Sequence, residues 1–242
     1  MECHHLGRPK NIRRKRKRIY TTRIISMTIE PCLYDFQLSD VDSRNTVSGE
    51  QAELIFDYFK HHPLFNWANA NNGCEGRADA VCVLLDAWGI PNYKAWAFSA
   101  GYLKNGVGEL VQNWKYHVAP VLAVEDGDKI IDYVLDPSTG TLLKEVREWA
   151  ESITKLPHSY YFIRKSEWYI FPGDQISKRP WHGRNSQNRK WMIQCLGGIN
   201  SLTATGRAHL CFNKNRLKQI VQAFTTLKQE LPSFIMSSKN AS

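Results

Sequence analysis

The residues offering the clearest chemistry are Cys74, His117 and Asp136. A thiol becomes a good nucleophile when its thiolate is stabilised, and the positive end of a helix dipole and a nearby imidazolium both do this. Cys74 opens a predicted helix. Asn71, Asn72 and Gly73 are turn and cap residues, and Cys74, Ala78, Val81, Leu85 and Trp88 then recur at the intervals of one helix face. Gly73 lets a substrate carbonyl approach the backbone, the Cys74 N–H can donate to a developing oxyanion, and the side chain of Asn71 or Asn72 can add a second donor. His117 is the candidate base, in a predicted strand whose same-face neighbours are Ala119, Val121 and Ala123. Asp136 ends the partner strand, where its carboxylate can hold the other imidazole nitrogen and fix the tautomer. Asp132 is the rival third residue on the same strand face, and the turn context favours Asp136. Taken singly these residues are ordinary: a cysteine at a helix start is more often structural, a histidine in a strand is usually a satisfied core or surface residue, and Asp136-Pro137-Ser138 is a common turn.

The elements that must position them are legible as periodicities. A capped amphipathic helix is expected from Ser48 to His61, ending before Pro63, and the Cys74 helix ends at Gly89 and Pro91. Strands are expected at Tyr93–Ala100, Lys115–Val124 and Lys129–Leu135, with Asp126-Gly127 as a hairpin signal. Pro120 lacks a ladder donor, which puts its strand near an edge or at a bulge. Thr141–Ile153 reads as a helix, His158–Ile170 as one or two strands, 172–188 as a long loop, and Asn213–Leu231 as an amphipathic helix. A helix followed by an antiparallel sheet is an α+β arrangement, with the nucleophile at the start of a buried helix packed on that sheet.

With 242 residues, 43% hydrophobic and 12% aromatic, the chain can bury a substantial core. Its formal charge of +9 is concentrated in the unbroken run Arg13–Arg18. The expected division is a basic, flexible N-terminal segment over 1–45, a catalytic domain over 46–172, and a linker with a C-terminal helical region over 173–242. The run can hold nucleic acid, an anionic surface or an import receptor, though a solvated arm is the plainer reading. Met27, just downstream of it, is an alternative start. The stretch 19–29 is broken by Thr21, Thr22, Arg23 and Ser26, so no ordinary signal peptide is read, and no apolar run reaches membrane-spanning length. Among the six cysteines no pair has the two-residue spacing of zinc knuckles or redox motifs.

Cysteine on a capped helix, then histidine within a strand, then aspartate at the next strand's end is the order used by papain-like and transglutaminase-like hydrolases. More specifically, Asn72-Gly73-Cys74 with Arg77-Ala78, the Gly89-Ile90-Pro91 exit, the strand 114–119 and the turn Leu135-Asp136-Pro137-Ser138 resemble the catalytic core of protein-glutaminases, over about a third of the chain. The resemblance implies Cys74 as nucleophile, His117 as general base and acid, and Asp136 as orienting carboxylate. It implies hydrolysis of protein-bound glutamine to glutamate and ammonia through a thioester, with no metal or organic cofactor and with a glutamine-bearing protein or peptide as partner. Trp67, Trp114 and Arg77 match neighbouring positions as packing or pocket lining. Glu75 and Asp79 depart from the family pattern, which has an aromatic residue directly after the cysteine and a basic residue near the motif's end. The enzymatic alternatives are a transglutaminase, resolving the same thioester with an amine, and a papain-like peptidase. The non-enzymatic one is a nucleic-acid module built from the basic arm and Lys178, Arg179, Trp181, Arg184, Arg189, Lys190 and Trp191.

Overall fold

A computed structural model describes residues 45–67, 73–98, 104–105, 108–109, 116–153, 160–168, 186–197, 214–230 and 232–233. The basic run, Asn71, Asn72, Trp114 and residues 178–184 lie outside them.

Helix α1 (Gly49–His61) starts where the Ser48 hydroxyl accepts the Gln51 N–H at 3.1 Å, and it buries Ala52, Ile55, Phe56 and Phe59. It stops before Pro63, which opens a 3₁₀ turn through Phe65. Helix α2 (Cys74–Ala87) begins after Gly73, whose φ of 90° is the left-handed conformation glycine tolerates best. At its far end Ile90 N donates to Leu85 O at 2.9 Å and Gly89 N to Asp86 O at 3.2 Å, with Gly89 left-handed. This paired closure satisfies carbonyls the helix leaves open.

The main sheet is built from β2 (Tyr93–Phe98), β5 (Tyr116–Asp126), β6 (Lys129–Val134), β7 (Lys144–Glu145) and β8 (Tyr160–Lys165) in the order β7-β6-β5-β2-β8. Strand β1 (Val47–Ser48) joins β5 in parallel, and the remaining pairings are antiparallel. A separate ribbon pairs β3 (Lys104–Asn105) with β4 (Gly108–Glu109). Strand alternation divides the core. Trp96, Phe98, Val118, Leu122 and Val124 pack towards α1 and α2, whereas Ala95, Ala97, Ala119 and Val121 pack against Val146, Trp149, Ala150 and Ile153, which belong to α3 (Val146–Ile153). Helices α4 (Ser186–Leu196) and α5 (Lys214–Gln229) cover α2, adding Met192, Leu196, Ile220 and Phe224 to the larger core.

This is the α+β architecture expected, with four local differences. Strand β5 is central rather than an edge. Pro120 sits in unbroken register with Lys94 of β2, and its carbonyl accepts Leu135 N at 2.8 Å just beyond the last paired residue of β6. A strand residue's N and C=O point the same way, so the missing donor faces the place where the β6 ladder runs out. The expected helix 141–153 begins only at Val146. Residues 144–145 instead pair with Tyr133 and Val134 at the sheet edge, and Leu142, inside the expected helix, is 75% exposed. The turn between β5 and β6 is Gly127-Asp128, one residue later than read. Helix α4, of which the sequence reading assigned only the start to a loop, was not anticipated.

Eleven of the 14 residues of α2 are buried, among them Glu75, Arg77 and Asp79. Asp79 receives the Lys94 ammonium from β2 at 2.9 Å, and that ammonium also donates to Trp168 O at 3.0 Å. Removing one partner of such a buried pair leaves an uncompensated charge, at a cost of about 3–5 kcal/mol, whereas replacing both by apolar side chains is often near neutral. Lys94→Met should therefore lower stability by about that amount in urea melts, and adding Asp79→Leu should restore most of it. A single variant as stable as the parent would contradict the pairing.

Candidate active site

At the start of β5, His117 Nε2 lies 2.7 Å from Asp136 Oδ2, both side chains being buried. Asp136 receives more than the imidazole. Trp149 Nε1 of α3 donates to Oδ2 at 2.9 Å and Thr139 Oγ1 to the same oxygen at 3.0 Å, while Ser138 donates to Oδ1 from its N–H at 3.2 Å and also from its hydroxyl. Burial alone would raise this carboxyl. The His117 charge and the hydrogen bonds from His117, Ser138 and Trp149 outweigh it, holding Asp136 well below the usual carboxylate range. An ionised carboxylate only accepts, so His117 Nε2 carries the hydrogen and Nδ1 is the basic nitrogen of the neutral ring. The ring also packs beside Trp149, with centroids 5.8 Å apart.

Asp136 rather than Asp132 meets the imidazole. Asp132 pairs with Ala123, six residues along β5 from His117, which is roughly 20 Å in an extended strand.

Cys74 is 7% exposed and packs with Ala78, Trp96, Phe98 and Val118. Its thiol donates to Glu75 Oε2 at 3.3 Å. Burial raises this thiol well above its ordinary value, and the charge and hydrogen bond of Glu75 raise it further, while Arg77 and the Val118 backbone oppose the rise. The stabilisation expected at a helix start is thus opposed here by desolvation and an adjacent carboxylate. Cys195 of α4 is also a free thiol raised by burial.

Cys74, His117 and Asp136 border one tight crevice, too narrow to hold a water molecule, together with Trp67, Arg77, Ala78, Val118, Ala119, Pro120 and Ser138. The Arg77 guanidinium lies 5.9 Å from the centre of the Trp67 ring, and the Trp67 indole N–H is held by Phe59 O at 2.8 Å. Both therefore line the pocket as read. Ser138, Thr139, Trp149 and Trp191 were missed. The first two were open to recognition, since a serine two residues after an aspartate is an Asx-turn signal. The tryptophans carry no local signal. Trp191, counted among the stacking residues of a nucleic-acid module, is 3% exposed and donates its indole N–H to Glu75 Oε1 at 3.0 Å, so it presents no face to a base. Among the described residues no group of three His, Cys, Asp or Glu can hold a metal ion, and no helix is long and apolar enough to cross a membrane.

Residues 52–153 match a family model described as glutaminase. Among solved structures, the chain is similar to protein-glutaminase from Chryseobacterium proteolyticum at 17% identity and a TM-score of 0.47, covering 62% of this chain and 89% of that one. It is also similar to a pro-protein-glutaminase at 17% identity and a TM-score of 0.49, covering 64% and 59% respectively. Comparison with curated proteins returns no match.

The shell around Asp136 gives this residue a structural role. Because its folded-state pKa is depressed, its contribution to stability is fully present above the unfolded carboxyl value of about 3.9 and is lost as pH falls below it. Asp136→Asn should lose about 3 kcal/mol or more at pH 7. In denaturant melts the gap between parent and variant should narrow as the pH is taken from 5 down to about 3. A gap independent of pH would mean that the carboxylate is not held ionised by its donors.

Proposed function

We propose, on the match of residues 52–153 to a glutaminase family model, that the chain hydrolyses the side-chain carboxamide of protein-bound glutamine, with Cys74 as nucleophile, His117 as general base and acid, and Asp136 as orienting carboxylate. The observation that carries this reading is the buried His117–Asp136 pair bordering the same cavity as the Cys74 thiol.

Each step has a group to perform it. His117 Nδ1 takes the thiol proton as Sγ attacks the carboxamide carbon, and the Cys74 N–H at the helix start can donate to the developing oxyanion. Asp136 stabilises the imidazolium and prevents the ring from turning. The imidazolium then protonates the departing nitrogen, ammonia leaves, and a γ-thioester to Cys74 remains. His117 next removes a proton from water, the hydroxide oxygen attacks the thioester carbon, and the sulfur leaves with the returned proton. Glutamate is the product. The steps use a thiol, an imidazole and a carboxylate, and they leave the substrate one negative charge richer.

Incubation with a glutamine-rich protein such as casein should release ammonia and raise substrate mass by about one dalton per modified side chain, the difference between NH₂ and OH in hydrolysis through a thioester. Cys74→Ala and His117→Ala should abolish this. Cys82→Ala, which alters a fully buried thiol elsewhere in α2, should keep activity while losing about 1 kcal/mol of stability. Full activity in Cys74→Ala would remove the nucleophile assignment. Dominant incorporation of an added primary amine would identify a transglutaminase instead, and backbone cleavage a peptidase.

A further inference from the structure

Glu75 is a buried carboxylate beside the proposed nucleophile, and the roles above do not use it. It is 4% exposed, and both of its oxygens are engaged: Oε2 accepts the Cys74 thiol hydrogen at 3.3 Å and Oε1 accepts the Trp191 indole N–H at 3.0 Å. Trp191 belongs to α4, outside the segment matched by the glutaminase family. That helix is seated so closely on the first turn of α2 that a Cβ at Gly76 would lie 2.5 Å from Cys195 Sγ, and one at Gly73 would lie 2.9 Å from the same atom. Glycine at these two positions permits the approach that brings the indole to Glu75. The carboxylate is therefore held from behind by an added helix while it faces the thiol.

We propose that Glu75 is a positioning residue for Cys74, holding the nucleophile as a neutral thiol with its hydrogen on Oε2 while Trp191 fixes the opposite oxygen. This rests on Cys74 being the nucleophile. Neither partner alone suffices: a carboxylate without the indole could swing away from the sulfur, and an indole without the carboxylate would leave the S–H free to turn towards the cavity. The other titratable and charged groups around this space are Arg77 and the Asp79–Lys94 pair, Tyr116 and His117 of β5 with Asp136 behind the imidazole, Tyr160 of β8, and Cys195 of α4. Of these, Arg77 opposes the effect, and Glu75 is the group that shares a hydrogen with the sulfur.

The consequence for the reaction is a change of resting state. A thiolate–imidazolium pair reacts with any electrophile that reaches it, whereas a thiol held by a carboxylate must lose its hydrogen to His117 as it attacks. The nucleophile is then formed in the presence of substrate and is otherwise protected from alkylation and oxidation.

The test is the pH dependence of iodoacetamide alkylation at Cys74, read by peptide mass spectrometry on the full chain, and it needs no glutamine substrate. In the parent, the midpoint should lie above the free-thiol value of about 8.5; a midpoint at or below that value overturns the proposal. In Glu75→Gln, which keeps the shape and can still accept from Trp191, the midpoint should fall by about one pH unit, a tenfold change in the thiol equilibrium. Cys82 reports the fold in the same spectra, since it stays unlabelled while the core is intact. An unmoved midpoint with Cys82 protected overturns the proposal, and if Cys82 becomes labelled the parent's midpoint alone decides. Should the parent release no ammonia yet show the midpoint and its shift, deamidation fails and Glu75 stands; the reverse pattern separates them equally well.

Discussion

The Asp136 carboxylate is the constraint from which most of the site's geometry follows. An ionised carboxylate in an apolar interior is tolerated only when its lone pairs are filled by donors, because leaving it bare costs far more than a fold's net stability can absorb. Here the donors come from three places in the chain: His117 at the start of β5, Ser138 and Thr139 in the turn after β6, and Trp149 on α3. Satisfying the charge thus fixes how the end of β6 leaves the sheet, how the turn folds back and how α3 lies across the odd-numbered face of β5. The imidazole orientation is a by-product of these commitments. A histidine so placed cannot rotate to present the wrong nitrogen without breaking the shell that keeps the sheet and α3 together.

The cysteine obeys a different balance. A helix start favours negative charge by about 0.3–1 kcal/mol at exposed positions, while removing a thiolate from water into a packed interior costs several times that before any neighbour is counted. Glu75 adds to the same side. The two side chains are therefore prepared differently: the fold fixes the orientation of the His117 imidazole through Asp136, whereas burial and Glu75 favour the protonated form of the Cys74 thiol. Any substrate that reaches the thiol has to widen a crevice that the described residues leave with no room for a water molecule.

How much of this could be read from residues alone depended on the range of the interaction involved. The caps of α1 and α2, the left-handed exit at Gly89 and the β5–β6 hairpin are decided within a few residues, and the sequence reading placed them closely. The joining of His117 to Asp136 was legible because a two-residue turn between adjacent strands leaves little freedom in their register. What escaped was decided across long separations. Residues 144–145 become a strand because the edge of β6 is open to them, overriding a fair helical pattern. The preference of Pro120 for an edge is met inside a central strand because its neighbour ends there. Helix α4 hides in a polar segment because its stripe, Trp191, Met192, Cys195 and Leu196, makes sense only against the glycines of a helix more than a hundred residues away. The contact made by Glu75, the neighbour of Cys74, belongs to this class, since its other oxygen is held by Trp191.

Helix α2 shows why the long-range contacts matter. A core helix buried on nearly all sides is ordinarily apolar throughout, and α2 instead buries three charged residues within its first two turns. Each is met by a different element: Glu75 by Trp191 of α4, Arg77 by the Trp67 ring after the 3₁₀ turn, and Asp79 by Lys94 of β2. Apolar replacements would be expected to match or exceed this arrangement in stability. Apolar contacts, however, are non-directional, and a helix held by them alone can rotate or slide by a fraction of a turn at little cost. Three directional contacts arranged around one axis fix both the rotation and the rise of the helix. The residue whose position they determine most closely is the one at its start, Cys74.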